Sequence, residues 1–278
     1  MNPNRQLLGA LIVAVCAIPT DGVLARYDFE KPPADRWELP NGLDEVSGLA
    51  TDSPDRLFAH GDERAEIFEL DRTGHRILSR FIFGDPAARS DFEGIAVAEE
   101  RLFLVNSDGV LYAGRRGLNG ERVPFVTYAT GLGSLCEVEG VAYDPTGPSL
   151  LLVCKEARTA RLRNRLAIFR WSIDRRTLFP NPAVLIDARP IARMAGQKSL
   201  HPSEITRDPG TGHLLVLAGR ERVLIELTPD GQVVHVSRLR RSLHRQPEGL
   251  GITLDGSLLI ADEAAGKHAT LTTYARVE

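Results

Sequence analysis

The sequence lacks several features that mark common functional classes. Basic residues are not in excess, since the formal net charge is −3, so we expect no nucleic-acid partner. Helical periodicity is almost absent, which disfavours a doubly wound α/β fold. There is no G-x-S-x-G elbow and no H-E-x-x-H pair, so a serine hydrolase or a zincin has no local support. Two basic runs, 158–165 and 238–245, are interpreted as solvated hairpin faces.

Cysteine is also scarce, with three residues in the chain. Cys136 and Cys154 lie within the body of the sequence, and an exported protein could bridge them. In a hairpin that turns near Gly147, however, Cys154 falls opposite Gly140 rather than Cys136. Bridgeable cysteines need Cα atoms within about 7 Å. This register therefore disfavours a disulfide.

Residues 1–25 are predicted to be a signal peptide or a membrane anchor. Arg5 precedes an apolar run over 7–18, and the sequence 23–25 offers cleavage after Ala25. The run is too short to span a bilayer, which takes about 20 helical residues. An uncleaved anchor remains an alternative, as does lipidation at Cys16, although Val15 fits a lipobox poorly. We expect an exported protein, periplasmic or extracellular, that touches a membrane only through this segment.

One short pattern recurs five times along the chain, and this is the main signal. Taking Ser47, Glu93, Glu139, Ser203 and Glu248 as equivalent, the intervals are 46, 46, 64 and 45 residues. The long interval implies an insertion, located by the Arg-rich stretch 158–165 and the Pro-rich stretch 180–190. The five copies are Glu45-Val-Ser-Gly-Leu-Ala50, Asp91-Phe-Glu-Gly-Ile-Ala96, Glu137-Val-Glu-Gly-Val-Ala142, His201-Pro-Ser-Glu-Ile-Thr206 and Gln246-Pro-Glu-Gly-Leu-Gly251.

Each copy is followed by two further apolar strands with turn signals such as Asp-Pro and Asp-Gly between them. Three such strands and a weaker fourth in about 45 residues is the spacing of a propeller blade. A β-sandwich also has many short strands, but it does not require five copies of one motif. The sequence therefore predicts an all-β, five-bladed β-propeller over 26–278, with blade motifs that start near 44, 90, 136, 200 and 246.

The ends of the chain predict how the ring closes. The last residues follow directly on the third strand of the fifth unit, so that blade lacks its outer strand. An open strand edge is usually covered or paired. We predict that Arg26 to Glu30 forms the closing strand, in the same sheet as residues 270–276.

The repeat also predicts an acidic ring, because the first strand of every propeller blade lines the central channel. Three converging carboxylates repel one another unless a cation or hydrogen-bond donors compensate. A hard cation suits irregular sets of oxygen ligands, Ca²⁺ above all. Alternatively, the carboxylates cap backbone N–H groups or pair with an arginine such as Arg220. The candidate ligands are Glu93, Glu139 and Glu248, with a looser second ring of Asp62-Glu63, Asp108, Glu156 and Asp262-Glu263.

His60 and His201 lie beside the motif regions and are weak candidates for a general base near a bound cation. A histidine in such a loop is more often an ordinary hydrogen-bonded residue.

The motifs resemble those of the SdiA-regulated (YjiK-like) family of bacterial envelope β-propellers, which is distantly akin to NHL repeats. The resemblance covers about residues 26–276 and implies a five-bladed propeller with bound calcium and no established reaction. It makes Glu93, Glu139 and Glu248 the calcium candidates, with Glu63 and Glu263 behind them. Blade four departs from the pattern, with Ser203-Glu204 in its motif and Arg220 where other blades carry an acid. The motifs concerned are 39–50, Phe58-Ala-His-Gly-Asp-Glu63, 91–96, Asn106-Ser-Asp-Gly109, 136–142, 247–250 and Ala261-Asp-Glu263.

Two functions are compatible with these observations. The first is a monomeric, calcium-binding module of the cell envelope that holds a small ligand or a protein at the channel face. The second is a calcium-dependent hydrolase of lactones, esters or phosphoesters, in which the ion polarises the substrate and His60 or His201 moves the proton. The paraoxonase and gluconolactonase propellers that suggest it resemble this chain only in architecture, being six-bladed. A binding module is therefore the favoured prediction.

Overall fold

A computed structural model describes residues 22–277, so residues 1–21 of the predicted leader over 1–25 lie outside the described residues. The described part starts with a 3₁₀ turn, Leu24–Arg26, and strand β1, Asp35–Glu38. Blade one consists of β2 (Val46–Thr51), β3 (Arg56–Gly61), β4 (Glu66–Asp71) and β5 (Arg76–Phe83). Blade two contains β6 (Phe92–Ala98), β7 (Arg101–Asn106), β8 (Val110–Arg115) and, after the short β9 (Arg122–Val123), β10 (Phe125–Ala129).

The other three blades repeat this order. After a 3₁₀ turn, Leu132–Ser134, blade three has β11 (Cys136–Asp144), β12 (Ser149–Ala157), β13 (Arg165–Ser172), β14 (Thr177–Leu178) and β15 (Val184–Asp187), and helix α1 (Ala188–Met194) follows. Blade four has β16 (Glu204–Arg207), β17 (Leu214–Ala218), β18 (Val223–Leu227) and β19 (Val233–Arg238). Blade five has β20 (Pro247–Ile252), β21 (Leu258–Asp262) and β22 (Thr270–Tyr274).

These strands form five antiparallel sheets, which confirms the five-bladed propeller. Each sheet runs outward from a strand that carries the repeated motif, in the order β2-β3-β4-β5 for blade one. Strand β9 adds to the outer edge of that blade in parallel. The predicted insertion supplies β14, β15 and α1, and β15 pairs with the first half of β13, residues 165–168. Within residues 22–277, no helix is long and apolar enough to cross a bilayer.

The ring is closed by an N-terminal strand, but not by the predicted one. Strand β1 pairs antiparallel with β22, and Trp37 stands opposite Leu271. The prediction that Arg26 to Glu30 forms this strand was wrong, because residues 23–29 pack as an irregular wedge between blades four and five. The apolar side chains of this wedge, Val23, Leu24, Tyr27 and Phe29, are buried there. The segment after Pro33 is free to pair, and it completes the sheet.

Neighbouring blades are held together by apolar contacts between their faces. Five clusters of buried residues fill the five blade-to-blade interfaces. The cluster between blades four and five includes the N-terminal wedge, and the cluster between blades five and one includes Leu39 and Leu43. Burial of this apolar surface is the main stabilising contribution to the ring.

Cys136 and Cys154 form a disulfide, with Cα atoms 5.7 Å apart. The prediction that the strand register disfavours this disulfide was wrong, because it assumed a regular hairpin. Irregularities between Cys136 and Val138 and between Val138 and Gly140 shift the pairing, so Cys154 lies opposite Val138. Bulges of this kind bring an extra residue into one strand and change which side chains face each other.

Candidate functional site

Five inner strands begin at the same end of the central channel, and we call this end the channel mouth. The predicted ring positions lie there: Glu139, Ser47 and Ser203 are buried, and Glu93 and Glu248 are half-buried. The backbones meet closely at the next residue, where the motif places glycine. A methyl group on Gly94 would lie 3.0 Å from the Cα of Gly140. The motif glycines are therefore needed for close approach of neighbouring inner strands.

An ammonium group lies among the ring carboxylates. Lys155 Nζ is 2.8 Å from Oε1 of Glu139 and 3.9 Å from Oε1 of Glu137. Burial lowers the pKa of Lys155, but the attraction of Glu139, Glu93 and Glu248 outweighs this and leaves it raised. The structure thus brings all three predicted acids within electrostatic reach of one lysine. The repeated motif does not include this lysine.

The ring acids retain protons more readily than ordinary carboxyls. Burial and then repulsion from Asp91 raise the pKa of Glu93, and burial and then repulsion from Glu93 raise the pKa of Glu139. The two side chains are hydrogen-bonded to each other. Burial also raises the pKa of Glu248, which hydrogen-bonds Ser203. Glu263 extends the cluster at the rim, where burial and then repulsion from Glu248 raise its pKa to about 7. Negative charge is thus costly here without further positive charge.

The remaining acids of the predicted second ring are engaged elsewhere. Glu63 is exposed, 3.9 Å from Arg89, and contributes to the raised pKa of the neighbouring Asp62, for which burial is the largest cause. The other three pair with basic side chains: Asp108 with Arg158 at 2.8 Å, Glu156 with His201 at 3.2 Å, and Asp262 with His244 at 2.8 Å. Only Glu263, with Asp62 beside it, therefore extends the inner cluster.

Blade four breaks the glycine pattern with Glu204, and this residue closes the channel. Its side chain is fully buried, and its Oε1 accepts hydrogen bonds from the backbone N–H of Ile205 at 2.9 Å and from that of Val141, in the neighbouring blade three, at 3.2 Å. Burial holds the pKa of Glu204 well above its usual range, and the nearby N–H groups of Ile205, Val141 and, in blade one, Leu49 oppose this shift. Its Oε2 atom is buried with no hydrogen-bond partner among the described residues.

Beyond Glu204 the channel widens into a vestibule of about 180 Å³ that is lined by all five inner strands. Leu49, Ile95, Val141 and Ile252 contribute apolar side chains, and Asp52 and Arg207 contribute charged ones. The channel therefore has two compartments, an acidic mouth and a vestibule of mixed character, with a carboxyl group between them.

The two histidines occupy different environments. His201 lies at the mouth between two carboxylates, with Nδ1 2.6 Å from Glu221 and Nε2 3.2 Å from Glu156. Glu221 is therefore the acid that blade four contributes, one residue after Arg220. His60 is fully buried beside Gly48, and its Nδ1 lies 2.9 Å from the carbonyl oxygen of Gly61.

Acid should destabilise the protein through His60. Burial lowers the pKa of His60 from 6.5 to about 4, so the folded state holds this ring neutral. The stability it contributes is complete above pH 6.5 and is lost as pH falls toward 4, by up to roughly 3 kcal/mol. We expect the free energy of unfolding of His60→Gln, measured by urea denaturation between pH 4 and 7.5, to fall less steeply than that of wild type. The exposed His268→Gln should follow wild type; parallel profiles for all three proteins would contradict the assignment.

A model of the SdiA-regulated family matches residues 33–266 of the chain. The chain belongs to the SdiA-regulated family.

Three solved structures share the architecture of this SdiA-regulated propeller. Myxococcus xanthus glutaminyl cyclase is 14% identical with a TM-score of 0.57, covering 88% of this chain and 98% of its own. The Streptomyces coelicolor aldose sugar dehydrogenase, in its PQQ-bound form, is 14% identical with a TM-score of 0.56, and the match covers 88% of this chain and 99% of the dehydrogenase. A luciferin-regenerating enzyme is 8% identical with a TM-score of 0.51, and the match covers 87% of this chain and 97% of that enzyme. At these identities the likeness concerns the fold alone.

The donor atoms at the mouth suit a hard cation, since they are carboxylate and hydroxyl oxygens. Within residues 22–277, however, no three acidic, histidine or cysteine side chains are already arranged to hold a metal ion. The carboxylates of this SdiA-regulated chain instead surround the ammonium of Lys155. The chemistry of the donor atoms thus fits calcium, and in the structure Glu139 and Glu137 are ion-paired with Lys155.

Proposed function

We propose that the protein is an exported binding module of the cell envelope whose channel mouth binds a calcium ion and, with it, a small ligand or a partner protein. The observation that carries the proposal is the convergence of Glu93, Glu139 and Glu248 around a single ammonium group. One buried and two half-buried acids share a single lysine, so ionisation of all three requires further positive charge, which a divalent cation would supply.

These three glutamates would hold the ion, with Glu263 at the rim. A bound calcium ion would supply positive charge and an electrophilic contact point for an anionic or carbonyl oxygen of a ligand. The chain itself supplies the depth of the site: Glu204 closes the channel below the ring, so a ligand would enter and leave through the mouth. Glu63 lies at the exposed rim, where a larger partner would meet it.

Calcium should raise the melting temperature of the purified protein. Ligands that bind only the folded state stabilise it in proportion to the logarithm of concentration, and weak extracellular calcium sites are filled at about 10 mM. We expect a calcium-dependent shift in scanning calorimetry, smaller for Glu139→Gln, and a larger heat of binding for Ca²⁺ than for Mg²⁺ in titration calorimetry.

Glu100→Gln is the matched control, because Glu100 is exposed in the turn between β6 and β7. This variant should respond to calcium as wild type does. An unchanged melting temperature of wild type at the highest calcium concentration would remove the proposed ion site.

The hydrolase is the second candidate, and the position of His201 at the mouth favours it. His201 precedes the ring position Ser203 by two residues, although both nitrogens of its imidazole already face carboxylates, those of Glu221 and Glu156. A panel of lactones, aryl esters and phosphoesters, assayed with and without calcium, separates the two functions. Calcium-dependent turnover that falls in His201→Gln would establish the hydrolase, and flat rates across the panel would leave the binding module.

A further inference from the structure

We propose that Lys155 is a tethered counter-cation of the acidic ring and that it sets how tightly the ring binds a divalent metal ion. The inference rests on the proposed function, since it concerns the same carboxylates. Beyond that function, Lys155 is the residue that competes with the metal ion for these carboxylates. Neither the repeat nor the motif spacing points to this residue, because it lies on the second strand of its blade.

The backbone holds Lys155 firmly at this place. It lies on β12, directly after Cys154, and the disulfide to Cys136 ties this strand to β11, which carries Glu137 and Glu139. The shifted register of the same two strands brings the start of β11 beside the end of β12. The lysine is therefore anchored next to its main partner, and its side chain is only 33% exposed.

The ammonium group is shared by acids from three blades. On its own blade it lies 2.8 Å from Glu139 and 3.9 Å from Glu137. It also attracts Glu93 from blade two, and Glu248 and Glu263 from blade five. A metal ion that used Glu93, Glu139 and Glu248 would need the same oxygen atoms. Two cations cannot occupy one position, so binding of the ion requires Lys155 to turn away from Glu139.

Because calcium must first displace Lys155 from the carboxylates, the lysine lowers the affinity of the ring for calcium. A unit charge a few ångströms from the ligands opposes the ion directly, and its removal should tighten binding by about tenfold or more. In wild type the ring would then be a weak site, in the range of about 0.1 to 1 mM that is typical of extracellular calcium modules. The metal-free protein is stable because Lys155 partly neutralises the acids.

The test is a comparison of Lys155→Met with wild type by titration calorimetry and thermal unfolding, with calcium chloride as the probe. We expect Lys155→Met to melt lower than wild type without calcium, to recover with calcium, and to bind it at least about tenfold more tightly. Lys198→Met is the matched control, since Lys198 lines the same cleft of about 220 Å³ as Lys155 but is exposed. It should equal wild type in both measurements.

The double variant Lys155→Met/Glu139→Gln keeps the charge of the ring balanced. It should melt higher than Lys155→Met without calcium and should lose the gain in affinity, as expected for interacting residues. If Lys155→Met does not fold even with calcium, the double variant must still fold, and its failure to do so would contradict the proposal.

The outcomes separate this proposal from the proposed function. Equal calcium affinity in Lys155→Met and wild type would overturn the role of Lys155 and leave the calcium site in place. Binding by Lys155→Met with none by wild type would support the role of Lys155 and overturn calcium binding by the natural protein. Binding by neither protein would overturn both.

Discussion

A chain that starts at Arg26 should unfold roughly 10 °C below one that starts at Gly22. Val23 and Leu24 are fully buried between blades four and five. Their N–H groups donate to Glu226, Val23 to Oε1 at 2.7 Å and Leu24 to Oε2 at 2.9 Å. Without them Glu226, itself fully buried, keeps only His213 among the partners seen here, at 2.6 Å.

The size of this effect follows from two contributions. Burial of each apolar side chain stabilises the fold by about 1.5 to 3 kcal/mol. A buried carboxylate that loses two hydrogen bonds costs roughly 1 to 3 kcal/mol more. Differential scanning calorimetry of the two chains, each with an initiator methionine, measures the difference. The same comparison bears on the predicted cleavage after Ala25, because that cleavage would remove the buried Val23 and Leu24.

A substitution in the full-length chain provides an independent check. Leu24→Ala should lower the melting temperature by several degrees, whereas Leu254→Ala should not, since Leu254 is 66% exposed. Equal melting temperatures for the chains starting at Gly22 and Arg26 would show that the wedge contributes little to stability.

Gly140→Ala should destabilise the ring by roughly 2 to 4 kcal/mol. A methyl group on Gly140 would lie 2.8 Å from the Cα of Glu204 and 2.9 Å from the backbone nitrogen of Ile205. Backbone atoms cannot rotate away as a flexible side chain can, so blades three and four would have to separate. The interface below them is closely packed, and separation would open a gap between its apolar faces.

Gly147→Ala is the matched control for this prediction. Nothing lies within 4 Å of the added methyl group, and the residue does not adopt a positive φ. The free energy of unfolding should change by less than about 0.5 kcal/mol. If the two variants unfold at the same urea concentration, the close approach of the inner strands is not what makes the motif glycine necessary.

The repeat predicted the number of blades and the positions of their inner strands because both depend on short-range patterns. A motif at regular intervals specifies a blade, and the five copies begin near β2, β6, β11, β16 and β20. Convergence of Glu93, Glu139 and Glu248 followed from this geometry. The cation that the ring holds could not be predicted in the same way, because Lys155 belongs to a different strand.

The errors arose where long-range packing competes with local pattern. The segment 26–30 and the segment 35–38 can both be read as strands, and the packing of the first involves Glu226, about 200 residues away, which binds Val23 and Leu24 just before it. The disulfide depended on bulges in β11, which no residue pattern near Cys136 indicates. Glu204 broke the motif visibly, but its hydrogen bond with Val141 of the neighbouring blade is a tertiary feature.

The pairing of β1 with β22 places the closing seam of the molecule at opposite ends of the chain, with Asp35 opposite Thr273. Until Tyr274 is available for pairing, an incompletely folded chain can stack its blades but leaves two apolar faces and one strand edge open to water. Such partly assembled species are the ones most prone to aggregate. Newly made chains should therefore need protection by a chaperone mainly during this last stage, and a premature stop before residue 270 should yield insoluble protein rather than a smaller propeller.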